Sequence, residues 1–559
     1  MASLDKLSGV LTKKSATHLL RRTTFGPSRE DIDAFTGMTV DAALDILFAT
    51  KTIPSPPVDT KTGTTWLNPR AGSSNSKQED LINYFMSWHL EQMLKSGSSV
   101  KEKIVFFFHS HLPVNKTLIT DSEAIYYQNA LYRHFAFASY KDLFKKICID
   151  NAMLIYLNGN LNQSSSPNEN FAREMFELYS IGRGVQIGDG NYTNYTEDDI
   201  KAATRVLTGW TNDDKYTNVD VDTNLPIGKL LTAISGINEV AIKHDANEKT
   251  FSPAFNNTII KPDVAKVIDG YETKEAATTE LNTMIDLIFD QDATAQFITR
   301  KIYRHFVYYI ISDTVESDVI KPLASEFKTS GYNMVTLLRK LFSSVHFFDT
   351  DNVVLDDDNV GALIKSPIEL VLGSIRAFNI NVPNISTDPS NVYKKQYIDG
   401  IINCLVKQGM PFYEPFDVAG YPAYHQFPTY TRNWITPVTI AYRYMFSDLL
   451  MNGVNLNGGD LGFKLDILTW VDDSKHISDP SSADTLVSEL LEFLVPFTVS
   501  TDRKNYFIND VLLLGLGYSS AWTAEWNTYK SDGSNVSTVR NILQSLVSSV
   551  LKSPEYQLM

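Results

Sequence analysis

Cysteine is nearly absent. The 559 residues contain only Cys148 and Cys404. Each sits in an apolar run (Lys-Ile-Cys-Ile and Asn-Cys-Leu-Val), which predicts buried free thiols rather than a disulfide and excludes a cysteine-rich zinc site. Long hydrophobic runs are missing too. Nowhere do about 18 apolar residues follow one another, so no membrane span is expected. The opening Met-Ala-Ser-Leu-Asp-Lys-Leu-Ser-Gly-Val lacks the apolar stretch of a signal peptide. A cytoplasmic location is therefore expected. Export or surface display by an unrecognised route is the alternative, suggested by the wealth of Asn, Thr, Ser and Tyr. Positive charge is in deficit: 50 Lys and Arg against 65 Asp and Glu give a net charge of −15. That balance argues against nucleic acid or an anionic membrane surface as partner. Strand-like alternation is scarce, and Asn238–Lys243 and Thr258–Lys261 are its best examples.

What is present is a folded chain, 43% hydrophobic and 11% aromatic, whose apolar residues recur at helical spacing. Helices are expected over 79–95, 100–109, 120–138, 140–157, 168–181, 197–209, 274–289, 292–310, 333–344, 367–378, 431–450, 483–494 and 537–551. In 292–310 the stripe is Ala295, Ile298, Ile302, Phe306 and Tyr309. The fold class is mainly α: a large multi-helix globular protein with long loops and one or two minor β-hairpins. Residues 51–78, 211–260 and 408–430 read as irregular, and loops of this length are often functional. The acidic stretch 349–360 divides a main helical domain, 1–350 (with the insertion at about 211–260), from a C-terminal helical part, 351–559, packed on it as one continuous body.

The densest polar motif is Pro167 to Gly182. Ser166-Pro-Asn-Glu169 has the form of a capping box with proline at the first helical position. Glu169, Arg173 and Glu177 then fall at i, i+4 and i+8, on one helix face. They form either a surface ladder or the wall of a cleft in which they act on a polar substrate or a metal. Ser366-Pro-Ile-Glu369 and Thr196-Glu-Asp-Asp199 repeat the capping logic. Asp189, Asn191 and Thr193 alternate like calcium-loop oxygens, but the spacing is not that of an EF-hand, and a turn into a capped helix is the expectation.

His109-Ser-His111 ends an apolar helix. Two residues apart on an α-helix the rings point about 200° away from each other. Pro113 favours an extended end, and there both imidazoles would share a side and form half a metal site. His244-Asp245 lies in the insertion, outside any apolar pattern, and is a candidate for the other half. Arg300 and Arg304 make a basic strip that either holds an anion or pairs with neighbouring acids. Residues 410–434, with Tyr421 and Trp434, interleave aromatics and prolines. Buried, they lock a loop onto the helices; exposed, they form a platform for sugars or an extended peptide.

Several of these segments, in this order, resemble the bacterial "domain of unknown function 1800" family. They are His18-Leu-Leu-Arg-Arg-Thr-Thr-Phe-Gly-Pro27, His109-Ser-His111, Asn168-Glu-Asn-Phe-Ala-Arg-Glu174, Tyr195-Thr-Glu-Asp-Asp199 with Leu207-Thr-Gly-Trp210, His244-Asp245 with Lys249, Lys365-Ser-Pro-Ile-Glu369, Val418-Ala-Gly-Tyr-Pro422 and Ser553-Pro-Glu-Tyr556. Phe108, Ser110 and Tyr421 depart from the family's Trp, Asn and Trp. The resemblance implies a helical bacterial protein, often encoded beside a sulfatase- or phosphatase-like protein, with no established reaction.

Three functions fit. In the first, the protein is a non-catalytic binding or assembly protein acting with a partner, its polar motifs forming a buried structural network. In the second, it is a metal-assisted hydrolase or group-transfer enzyme acting on a polar polymer or ester. One divalent metal would sit on His109, His111, His244 and Asp245; Glu169, Arg173, Glu177 and His109 would be the catalytic set; and Arg300, Arg304, Tyr421 and Trp434 would bind substrate. In the third, it is a carbohydrate-binding protein. The sequence leaves open whether it is an enzyme.

Overall fold

The computed structural model describes residues 2–67, 76–351, 358–383 and 392–559. The chain is 54% helical, with 24 helices among the described residues. The strands form five two-stranded antiparallel pairs. Residues 68–75 of the expected loop and 352–357 of the acidic stretch lie outside the described residues. No described helix is long and apolar enough to cross a membrane. Both cysteines are free and buried.

The helices arise where the apolar spacing places them. Thr273 caps the helix Lys274–Phe289 by accepting from the Ala276 N–H, and Ala277, Leu281, Met284, Ile285 and Ile288 form its buried face. In the helix Asp292–Phe306 the stripe Ala295, Ile298, Ile302 and Phe306 is buried as expected. Each large member of such a stripe contributes about 1.5–3 kcal/mol by leaving water. That helix stops at Phe306 rather than 310, so Tyr309 packs in a separate small cluster with Leu363, Tyr430 and Met559. The expected helix 140–157 is two, Tyr140–Ile147 and Asn151–Tyr156, and Asp150 caps the second. Helices at Lys13–Thr23, Arg29–Phe35, Val40–Leu47, Lys321–Thr329 and Ser519–Asp532 were not expected from the sequence.

Three of the strand pairs lie in the irregular insertion: Trp210–Thr211 with Lys229–Leu230, Thr232–Ser235 with Asn238–Ala241, and Lys249–Thr250 with Ile259–Ile260. A fourth, Val267–Ile268 with Tyr271–Glu272, leads into the helix Lys274–Phe289. These short strands carry polar side chains onto that helix. One cluster of buried apolar residues runs from Ala2 to Tyr556. The C-terminus pairs back on the chain: the Met559 N–H donates to the Leu363 carbonyl at 2.9 Å, and the Lys365 N–H to the Gln557 carbonyl at 2.8 Å.

Candidate functional site

His244, Glu272 and Glu280 form the one set of three His, Cys, Asp or Glu side chains among the described residues whose ligand atoms all lie within 4.8 Å of one another. The turn after Asn238–Ala241 delivers His244, a hairpin strand delivers Glu272, and Glu280 stands on the helix Lys274–Phe289. The approach is close. Gly209 has φ +83°, and a Cβ there would lie 2.9 Å from the His244 backbone nitrogen, so the Thr-Gly-Trp turn needs glycine. His244 Nδ1 donates to the Thr208 carbonyl at 2.9 Å. Its Nε2 faces Glu280 Oε2 at 3.1 Å and Glu272 Oε2 at 3.9 Å. With Nδ1 anchored on a carbonyl, this is the orientation of a metal-bound histidine.

The centre, however, already contains a cation. Lys249, fully buried, donates from Nζ to Glu280 and to the Asp245 carbonyl, and lies 3.9 Å from Glu272 Oε1. Burial, then the neighbouring Glu280 charge, pushes the Glu272 carboxyl up. Burial opposes ionisation of Glu280 as well, but the His244 hydrogen bond and the Lys249 charge outweigh it and hold that carboxyl down. The result is a closed group in which Lys249 and His244 both face the two glutamates. Sequence reasoning missed Glu272 and Glu280; one lies just before a helix and the other in its second turn, where each reads as an ordinary acid.

Asp245 turns away from His244. It accepts from Arg205 Nε at 2.7 Å and from the Asn247 backbone at 2.9 Å. Burial pushes its carboxyl up, but Arg205 and Asn247 together bring it down to about 2. It is an ion-pair partner here and shares no ligand position with His244.

The helix does not open at His-x-His. It runs Lys101–His111, so the two rings point to different sides. His109 is fully buried among Phe106, Phe412, Tyr413 and Tyr421, and neither ring nitrogen has a hydrogen-bond partner among the described residues. Burial drives its pKa down to about 3. His111 stacks on Phe107 and faces Tyr140 and Tyr179; burial, then Lys301, takes it to about 3. Neither joins the His244 group.

The Glu169–Arg173–Glu177 ladder is also divided. The capping box at Ser166 does not form, and the helix begins at Asn170. Arg173 reaches Glu169 at 3.1 Å but pairs through two nitrogens with Glu197, at 2.6 and 2.8 Å. Over Met175–Tyr179 the helix widens into a π turn, which rotates Glu177 off that face and onto Arg183. Arg300 is held by Glu316 at 2.9 and 2.6 Å. Arg304 donates to the Tyr309 carbonyl at 3.3 Å and lies over the Tyr430 ring. Tyr421 and Trp434 are buried, and Tyr421 Oη donates to the Pro411 carbonyl at 3.0 Å. Two further buried pairs escaped the sequence: Lys103 with Glu369, and Arg133 with Glu102.

A family model described as "Protein of unknown function (DUF1800)" matches residues 18–558. No curated protein matches the chain. No solved structure matches it.

Proposed function

This chain belongs to the DUF1800 family, and we propose that it is a non-catalytic binding or assembly protein whose polar motifs are internal braces. The observation that carries this reading is Lys249, whose ammonium contacts both glutamates of the His244–Glu272–Glu280 trio, the one set clustered within 4.8 Å among the described residues. A buried acid pair answered by a lysine and a histidine is complete without a ligand. The other motif charges support the reading because each closes on a protein partner: Arg173 on Glu197, Asp245 on Arg205, Arg300 on Glu316. The segment 408–434 offers the contact surface. Its inner rings anchor it, while Phe416 and Phe427 stand 68% and 79% exposed. A partner protein of the kind implied by the resemblance would dock there.

A second reading is favoured by the 4.8 Å clustering of His244, Glu272 and Glu280: a divalent metal displaces Lys249 and activates water. Metal analysis of the purified protein and of a His244→Ala variant separates the two. The bracing reading expects no metal lost with His244 and a large loss of melting temperature. A stoichiometric metal that disappears in His244→Ala while the fold persists overturns it in favour of the enzyme.

A further inference from the structure

A buried excess of positive charge lies beside the helix Lys13–Thr23. A cavity of about 40 Å³ separates the end of that helix from the helix Pro367–Ala377. Arg21, Lys365, Glu369 and Tyr556 line it. Arg21 is half-buried and Lys365 is buried. Arg443, only 1% exposed, stands behind Lys365 and donates from Nη2 to its carbonyl at 2.9 Å. Three of the family-like segments, 18–27, 365–369 and 553–556, meet at this cavity, which shares no residue with the His244 group.

Glu369, the acidic side chain on the cavity, is already answered. Its Oε1 accepts from Lys103, and its Oε2 from the Ser366 N–H at 2.8 Å and the Ser366 hydroxyl at 2.9 Å. Met559 also reaches the wall, but its N–H donates to the Leu363 carbonyl and no ion pair ties it to the cations among the described residues. Arg21, Lys365 and Arg443 are left with uncharged partners. Arg21 donates to the Phe493 carbonyl, Lys365 Nζ to the Tyr556 carbonyl at 2.6 Å, and Arg443 Nε to the Gln557 side chain at 2.8 Å. The Lys365 ammonium lies 3.6 Å from the centre of the Tyr556 ring. Carbonyls and ring faces orient a cation but carry no net charge to cancel it. Arg443 Nη1 is buried with no hydrogen-bond partner among the described residues. Burial, then Arg21 and Arg443, lowers Lys365 well below the usual lysine range. Buried charge persists only when it is paired, so this group calls for a negative occupant.

The cradle is built by a close approach. Gly26 has φ +97°, and a Cβ there would lie 2.7 Å from the Gly373 Cα. Only glycine lets the turn after the helix Lys13–Thr23 press on the helix Pro367–Ala377 and bring Arg21 to the cavity beside Lys365. Both glycines stand on its wall. We infer that Arg21 and Lys365 hold one small inorganic anion of the chloride class in this cavity, with Arg443 adding positive charge from behind. A monoatomic anion needs little more room than a water molecule, which a cavity of this size accommodates. A tetrahedral oxyanion such as sulfate is larger and carries a second charge toward Glu369. The site does not depend on the bracing role of the His244 group.

The test is a chloride titration of the full-length protein, prepared in sodium gluconate and held at constant ionic strength. A ligand that binds only the folded chain raises its melting temperature in proportion to the logarithm of occupancy. A saturable rise with chloride is expected. Bromide should reproduce it, and sulfate at the same ionic strength should not. The ³⁵Cl resonance should broaden in the presence of the protein and recover on adding bromide. Lys365→Met and Arg21→Met should each move the chloride midpoint up by on the order of tenfold or more. A purely structural role would instead lower the melting temperature equally in gluconate and chloride, with the midpoint unmoved. Lys530→Met, which removes an exposed cation paired with Asp472, should leave the midpoint where it is. If Lys365→Met does not fold, the Arg21 variant decides, and the comparison of halides with sulfate on the wild-type protein stands by itself. The inference is overturned by a wild-type melting temperature that ignores chloride, by an equal response to sulfate, or by a midpoint that survives both cavity variants or shifts in Lys530→Met.

Discussion

Lys249 shows how one side chain decides the reading of a site. Without it, His244, Glu272 and Glu280 are a metal constellation; with it, they are a closed salt-bridge group. Lys249→Met should cost about 3–5 kcal/mol, because it strands the buried Glu280 charge. Adding Glu280→Gln should recover most of that loss. Urea midpoints measure both, and a single-variant cost below about 1 kcal/mol would contradict the bracing role. The buried histidines set the acid stability. His109 and His111 sit at about 3 against a usual 6.5. Between those values the unfolded chain takes up protons that the folded chain refuses. Stability is therefore full above pH 6.5 and falls as pH drops, by about 1.4 kcal/mol per unit for each histidine. Asp245, held at about 2, adds a loss of the same sign at lower pH: its stabilisation is present above the usual carboxylate range and disappears as pH falls through that value. His109→Phe, which keeps a ring in an aromatic nest, should flatten the slope between pH 6 and 4 by about one proton. Denaturation at a series of pH values reads this directly, and an unchanged slope would exclude His109 as a contributor.

At the scale of the element, two similar strings behave differently. Ser366-Pro-Ile-Glu369 forms its capping box: the Ser366 N–H donates to Glu369 Oε2 at 2.8 Å, and that glutamate also receives Lys103. Ser166-Pro-Asn-Glu169 does not, because Ser166 bridges back to Gln163 and Glu169 turns toward Arg173. Ser366→Ala should therefore cost about 1 kcal/mol or more. Ser166→Ala should stay within about 0.5 kcal/mol. Equal costs in chemical denaturation would mean that the two helix starts are alike after all. The wide turn at Met175–Tyr179 makes the same point about side-chain spacing. The i, i+4 pair Glu169–Arg173 was legible because it lies before the turn. The i+8 member was not, because one extra residue per turn changes the face. The end of helix Lys101–His111 is similar: Pro113 ended the helix two residues later than an extended His-x-His requires, and His109 and His111 diverged.

At the scale of the molecule, the two ends of the chain are tied to each other's territory. Arg22 donates to the Asn359 carbonyl, Arg376 Nε to the Gly26 carbonyl at 2.8 Å, and Lys13 pairs with Glu492 at 2.9 Å. Residues 1–350 alone would lose these partners and expose part of the buried cluster. That fragment should bind a hydrophobic dye and show no sharp thermal transition, whereas a cooperative, dye-silent fragment would mark it as an independent domain. The helical class, the buried thiols, most helix positions and the hairpins of the insertion were determined by the sequence alone. Periodicity, capping and the shortage of alternation are local properties, read within one or two turns of chain. Which charges meet was decided only by the tertiary structure. Glu280 finds Lys249 and His244, and Arg173 finds Glu197, across separations of 24 residues or more. The physical reason is that a buried charge must be paired wherever the packing of apolar faces carries it, and the pairing partner is set by that packing, which no local spacing records.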